Sequence, residues 1–387
     1  MTPLTCAFVP LVDSAPLIVA HELGFARANA LKLNLVKHPS WSSLRDGLAL
    51  GQVDAAQMLS PTPIATSLNL GNLPVKIDVL MVLSVNGNNI GVAPKLAQKM
   101  RGNGWSGAFQ APRETGLHLI KSAGEALRVG IPFPFAMHVE LLHHWLSALG
   151  LPERALDIKV VPPPRMPDAI ANDEIDAFCV GEPWGSLAVE QGVAELILPG
   201  SAIWNFAPEK VLATRHDWTQ NHPEETKSLM RATYQAACWL EDPSNRMVAA
   251  DLLARAEYLD LPEHLIDRAL TGQIAPTRNA QPQYVPQFQQ FHGTAANFPW
   301  RSQAAWIATR LAKRYSLDPV HARSVARNCF RTDLYRHNLE GLGVDMPAAS
   351  EKLEGSLAAP TLVASTRGEM ILGPDAFFDG EIFDLNA

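Results

Sequence analysis

Ser40-Trp41-Ser42, His138, Gly181 and Lys210 are the positions in this 387-residue chain whose types and settings point to chemistry, and that chemistry is hydrogen-bond donation. Ser40-Trp41-Ser42 stands where a helix is expected to begin, leaving backbone N–H groups and the indole N–H for an acceptor. His138 falls in the first turn of an expected helix, 137–149, beside its apolar face of Met137, Leu141, Trp145 and Leu149. Gly181 follows an expected strand, 176–180, and precedes Pro183, so the backbone there can approach a ligand closely. Lys210 opens an expected strand after Pro208, from which its side chain reaches into a cleft. Taken singly, each has an ordinary structural role: Trp41 as lobe packing, His138 as a satisfied surface histidine, Lys210 as a solvated charge. Taken together, donors converging from separate segments describe a site for a small anion. A buried anion with three acceptor oxygens needs charge compensation and donors all round.

Other chemistries find no footing. Gly102, Gly104 and Gly107 satisfy GxGxxG, but they follow a charged stretch instead of a strand, so a surface loop is expected and not a dinucleotide fingerprint. The chain contains neither a phosphate-binding GxxxxGK[ST] nor a GxSxG nucleophile elbow. His138, His143 and His144 lack the i, i+4 pairing of HExxH, and His138 and His143 point in different directions on a helix. Cys6, Cys179, Cys238 and Cys329 are scattered singly, as buried free thiols are. No cofactor or metal is expected. An enzyme would have to use Glu182 and His138 as acid and base, the one such pair in view.

The elements that must position these donors alternate in kind. Strands are expected at 5–12, 31–36, 54–59, 77–84, 128–132, 157–161 and 176–180, separated by helices, as in α/β folds with mainly parallel sheets. Leu48-Ala-Leu-Gly-Gln-Val-Asp54-Ala and Ile170-Ala-Asn-Asp-Glu-Ile-Asp176-Ala each precede a strand and then a proline, Pro61 or Pro183, seven residues after the aspartate. Two sheets built on one plan, with a ligand cleft beyond their strand ends, account for this echo. The expected division is lobe 1 from 1–90 and 200–387, including long helices after about residue 215, and lobe 2 from 91–199. From Gly341 the tail is expected to be an irregular arm packed on a lobe, anchored by Phe377, Phe378 and Phe383.

A net charge of −7 argues against phosphate-neutralising surfaces, so no direct nucleic-acid binding is expected. The first Lys or Arg is Arg27, which leaves no basic n-region for an export signal, and the uncharged run 55–75 is broken by prolines and polar residues. A cytoplasmic protein without membrane contact is the expectation.

Phe8-Val-Pro-Leu-Val-Asp-Ser-Ala-Pro-Leu-Ile-Val-Ala, Ser40-Trp41, Asn86-Gly-Asn, Val160-Val-Pro-Pro-Pro, Asp176-Ala-Phe-Cys-Val-Gly-Glu-Pro-Trp184, Pro208-Glu-Lys210 and Phe378-Asp-Gly-Glu-Ile-Phe-Asp384 resemble, in order, the nitrate-binding proteins of ABC transporters. The resemblance implies a type II periplasmic-binding-protein fold, two α/β lobes closing on an oxyanion. With no leader, the chain is most similar to the cytoplasmic nitrate/nitrite sensors of the NasS type, which hold an antiterminator protein of the NasT type. Carried over by motif, the ligand residues are Trp41, Asn88, His138, Gly181 and Lys210. Asn88 is a shorter amide where the transporters have Gln. Lys210 stands where related bicarbonate-binding proteins carry an acidic residue, and an ammonium favours acceptor-only nitrate or nitrite. Lys210→Glu is accordingly expected to remove anion binding and leave the fold intact.

Overall fold

The structure is a computed structural model and describes residues 1–385, so the last two residues of the expected lobe 1 lie outside the described residues. Ten strands carry the two lobes: β1 (Thr2–Phe8), β2 (Leu31–Lys37), β3 (Ala55–Leu59), β4 (Ile77–Asn86), β5 (Asn88–Val92), β6 (Leu127–Ile131), β7 (Leu156–Val160), β8 (Ala177–Gly181), β9 (Glu195–Pro199) and β10 (Pro208–Arg215). The first sheet runs β4-β10-β3-β1-β2, with Gln289–Gln290 added at the β4 edge; the second runs β7-β6-β8-β5-β9. Both therefore follow the same plan of a central strand, its two parallel neighbours and one strand arriving from the other lobe.

The sheets are mixed, not mainly parallel. β1 pairs in parallel with β2 and β3, and β6 with β7 and β8, through helical connections. β10 runs antiparallel to β3 and β4, and β5 antiparallel to β8 and β9. Each reversed strand is the one that has just crossed between lobes, which is why alternation of strands and helices along the chain does not reveal it. The first crossing lies at Asn86-Gly87, since β5 already pairs in the second sheet from Asn88; this shifts the expected boundary at residue 90. The second lies between the ends of β9 and β10.

Asn86 ties the two crossings together. Its backbone adopts φ 60° and Gly87 follows at φ 93°. The Asn86 Nδ2 donates to the Asn205 carbonyl at 2.7 Å, and its Oδ1 accepts from the Ala207 N–H at 3.1 Å. An asparagine tolerates this left-handed backbone and supplies both a donor and an acceptor.

The repeated aspartates have one job in both lobes. Asp54 Oδ2 accepts from the Thr5 N–H at 2.8 Å, and Asp176 Oδ2 accepts from the Arg128 N–H at 3.0 Å. Each aspartate N–H in return donates to the carbonyl of the same partner, at 2.9 and 2.8 Å. A carboxylate just before the third strand thus locks the backbone of the central strand, midway along β1 and near the start of β6. The short echo in sequence is a structural repeat.

The long helix Pro223–Glu241 packs on helix Ala15–Glu22 of the first lobe, and helix Arg301–Tyr315 packs on helix Pro61–Ser67. The tail is less irregular than its composition suggests: Thr361–Ser365 and Gly368–Leu372 pair as a hairpin. Beyond it Phe377 stacks on Trp204 and Trp306 and meets the edge of His144 in the second lobe, so the arm touches both lobes. Gly102, Gly104 and Gly107 lie at and after the end of helix Pro94–Gly102, with no strand before them, as a loop requires. Among the described residues no helix is long and apolar enough to cross a membrane.

Hydrogen bonds to charged acceptors contribute about 1.5–3 kcal/mol each. Asp54→Ala and Asp176→Ala are each expected to lower stability by roughly 1–3 kcal/mol, and their double variant to show the sum within about 0.5 kcal/mol because the sites sit in different lobes. Urea unfolding of the three variants checks both points; strong coupling would contradict two independent locks.

Candidate functional site

Ser40 caps helix Trp41–Ala49 in extended geometry, φ −154° and ψ 158°, accepting from the Ser43 N–H. This sets Trp41 at the first helical position, facing inward. His138 is the second residue of helix Met137–Ala148 on the opposite lobe, and Gly181 ends β8. Lys210 comes from β10, in the first lobe. Trp41, Asn88, His138 and Lys210 are all at most 3% exposed. The ordinary readings of His138 as a surface group and of Lys210 as a solvated charge do not hold.

Two residues that sequence reasoning left out organise this cluster. Lys210 Nζ donates to Asp13 Oδ2 and to Glu209 Oε1, both at 2.8 Å. Asp13 Oδ1 also accepts from Gln57 Nε2, while Gln57 Oε1 holds the Val9 N–H at 2.9 Å. Glu209 Oε2 accepts from Asn88 Nδ2 at 2.9 Å. All four carboxylate oxygens are thus engaged.

Neighbours on a regular strand face opposite sides, so Glu209 and Lys210 should not share a cluster. A bulge brings them together. In the pairing with β4, Pro208 faces Val85 and Lys210 faces Ser84, which leaves Glu209 as the extra residue, and the register shifts again before Val211. The signal within reach of sequence was Asp13 itself, an acidic residue inside a run, 7–20, that is otherwise apolar but for Ser14.

The Trp41 ring centroid lies 5.4 Å from Lys210 Nζ, within cation–π range. Its buried Nε1 has no hydrogen-bond partner. His138 Nδ1 sits 3.2 Å from Glu209 Oε1, close enough for an ion pair, yet neither ring nitrogen makes an aligned hydrogen bond. The alignment decides, because a hydrogen bond weakens steeply off-axis. Asn88 Oδ1 lacks a partner too, but it faces the backbone of Gly200, where an added Cβ would stand 1.8 Å away. At Gly181 a Cβ would lie 2.6 Å from Leu11 Cδ2 and 3.9 Å from Lys210 Nζ, so glycine keeps the space beside the ammonium clear.

Charge follows burial. Burial pushes the Asp13 carboxyl up to about 6 against the pull of Lys210. Burial also raises Glu209, opposed by Lys210 and Asn88. For Lys210, burial favours the neutral amine, but Asp13 and Glu209 outweigh it and hold the ammonium above its ordinary value. Burial, with the Lys210 charge added, drives His138 well below the imidazole range, so it is a neutral ring.

The lobes meet around this cluster. The Val12 N–H donates to the Glu182 carbonyl at 3.0 Å, Trp184 Nε1 to the Pro10 carbonyl at 2.8 Å, and Thr62 Oγ1 to the Phe135 carbonyl at 2.8 Å. Glu182 is not a partner of His138: its carboxylate accepts from Asn89 Nδ2 at 2.6 Å and from the Ser186 N–H at 3.1 Å. His144, Asp379 and Glu381 bring possible metal-ligand atoms within 4.8 Å of one another. Arg310 Nη2 bridges His144 Nδ1 at 2.8 Å and Glu381 at 3.1 Å, which puts a guanidinium where a second cation would have to go.

Compared with known proteins, residues 1–254 match the family described as NMT1-like. The nitrate import ATP-binding protein NrtC of Synechocystis sp. is 32% identical over 344 residues, 88% of this chain and 50% of NrtC. The nitrate/nitrite binding protein NrtA of Synechococcus elongatus is 28% identical over 395 residues, 98% of this chain and 83% of that one. The crystal structure of the periplasmic nitrate-binding protein NrtA from Synechocystis PCC 6803 superposes with a TM-score of 0.85 at 25% identity, covering 99% of this chain and 96% of that one. The two-lobed, periplasmic-binding-protein-like fold is therefore shown in its entirety. The chain spans about half the length of the ATP-binding relatives, among them the bicarbonate transport protein CmpC of Synechococcus elongatus, 31% identical over 80% of this chain and 45% of CmpC.

The cluster revises the expected tolerance of Lys210→Glu: a third carboxylate beside Asp13 and Glu209 is expected to destabilise the fold. Even Lys210→Met, which removes charge but keeps bulk, is expected to cost about 3–5 kcal/mol at pH 7.5, since it strands buried carboxylates without a counter-ion. Raised carboxyls are easiest on the fold when protonated, so the loss should shrink on moving to pH 5.5. Thermal unfolding at the two values checks this; a pH-independent loss would contradict it.

Proposed function

Since the chain belongs to the NMT1-like family, we propose that it is a solute-binding protein that takes nitrate or nitrite between its lobes, through Trp41, Asn88, His138, Gly181 and Lys210. The observation that carries this reading is the buried, partnerless indole Nε1 of Trp41 beside the Lys210 ammonium, with the neutral His138 ring at its side. A donor left unpaired in a dry interior costs free energy unless a ligand completes it. Asn88 enters by holding Glu209, and Gly181 by leaving room.

The acceptor-only character of nitrate suits this arrangement. Every oxygen of Asp13 and Glu209 already accepts a hydrogen bond, so the cluster has little to offer the hydroxyl of bicarbonate. Of the three N–H donors of Lys210, two are taken by the carboxylates and one remains.

The reading extends to a cytoplasmic sensor of the NasS type that releases a NasT-type antiterminator when the anion binds. Its support is the sequence resemblance, together with lobe-to-lobe hydrogen bonds that must break on opening. Opened and closed lobes present different surfaces, and an anion clamped by both shifts the balance by its differential affinity. A component of an import system is the other occupation of the same site.

Nitrate and nitrite are expected to raise the melting temperature, corresponding to about 2.7 kcal/mol at a hundredfold excess over Kd, with sulfate and bicarbonate at matched ionic strength doing little. Trp41→Ala should weaken the effect without abolishing it. Equal shifts with all four anions would dismiss a dedicated site. For the sensor, size exclusion after co-expression with a NasT-type protein should show a complex that millimolar nitrate dissolves; absence of a complex, or one indifferent to nitrate, would return the chain to the import role.

A further inference from the structure

Asp13 and Glu209 pose a problem for any monoanion. One ammonium against two ionised carboxylates leaves the cluster one unit negative, with all three side chains at most 1% exposed. A second buried negative charge at contact distance is strongly disfavoured in such surroundings, where water cannot screen it. A proton delivered to the carboxylates removes that conflict and turns an acceptor into a donor.

We propose, on the reading that nitrate binds here, that the anion enters together with a proton: the Asp13–Lys210–Glu209 cluster holds about one proton more with nitrate bound than without it. The two carboxylates are then the residues that favour a single negative charge, because sulfate would demand a second proton, one on each carboxylate, and so strip Lys210 of both its ion pairs.

The groups facing the cluster come from every element around it: Asp13 from the turn Val12–Ser14, His138 from helix Met137–Ala148, Cys179 from β8, and Glu209 and Lys210 from β10. His138 is held neutral by burial and by Lys210, and the Cys179 thiol is held neutral by burial and by Glu209. Lys210 is held charged by its partners. The carboxylate pair is what remains to titrate, with Asp13 at about 6 in the absence of the anion. An added negative charge raises carboxyl pKa values further. Affinity should therefore fall as pH rises above about 6, and level off below it, where the free protein already carries the proton.

Isothermal calorimetry of the full chain with sodium nitrate, at pH values from about 5.5 to 8.5 and in two buffers of different ionisation heat, counts the protons directly. Nitrate stays a monoanion throughout, so the ligand contributes no titration. The expected result is an affinity loss approaching ~tenfold per pH unit above about 6.5, with uptake of about one proton. Binding that is independent of pH, with no proton uptake, would overturn this inference and leave the nitrate site standing. No binding at any pH would overturn the nitrate site and the inference with it. Glu209→Gln is expected to bind nitrate with a flattened pH profile; a folded Glu209→Gln and a folded Asp13→Asn that both keep the full slope would also overturn it. Should either variant fail to fold, the proton count on the unaltered chain decides.

Discussion

The burial of one ammonium group governs this structure. Moving a lysine charge out of water costs many kcal/mol before pairing, and only close, well-directed carboxylates recover it. Lys210 meets that demand with Asp13 and Glu209, and each of those needs support in turn. Gln57 from β3 holds Asp13 and also the backbone at Val9. Asn88, the first residue after the crossing into the second lobe, holds Glu209. A bulge in β10 is what lets two successive residues share the cluster. The first turn of the chain, the starts of β5 and β10 inside the two sheets and both crossings are thereby committed to one charge.

The chain contains a second lysine held in the same way. Lys352 donates to Glu354 and Asp375, and Ser302 Oγ donates to Glu354 at 2.6 Å, tying the C-terminal arm to helix Arg301–Tyr315. A buried lysine between two carboxylates is thus also a plain fastening. Around Lys210 an indole Nε1 and both nitrogens of a neutral imidazole stand without hydrogen-bond partners, and they come from two lobes. Lys352 also lies over aromatic rings, those of Phe206 and Trp300, and Trp300 Nε1 is likewise buried without a hydrogen-bond partner, so what sets Lys210 apart is the unpartnered His138 ring contributed by the other lobe. The two clusters share a core of one lysine and two carboxylates and differ in the imidazole that stands beside Lys210.

Lobe geometry makes that difference usable. The two sheets share one topology, each with its aspartate lock, and the lobes are joined by the crossings, one of which is at Asn86. The hydrogen bonds from Val12, Trp184 and Thr62 across the gap involve backbone carbonyls, which can be exchanged for water at modest net cost. On the proposed reading, contacts that exchange so readily would let a small anion held by both lobes bias their separation.

Alternation of apolar strands and helices determined the α/β class, because period-2 and period-3.6 patterns are written locally. The matched aspartates at 54 and 176 marked the repeat of the lobes, since each stands directly before its own strand, although the backbone it locks, at Thr5 or Arg128, lies far off in sequence. The donors Trp41, His138 and Lys210 could be picked out by type and by their places at helix starts and strand ends. Only the tertiary structure decided that β5 and β10 run antiparallel, for strand direction depends on which sheet a crossing chain joins. It also decided that Lys210 is clamped rather than free. Asp13 and Lys210 are far apart in sequence, and the bulge that turns Glu209 inward arises from pairing with β4, a long-range event that leaves no trace in the order of residues.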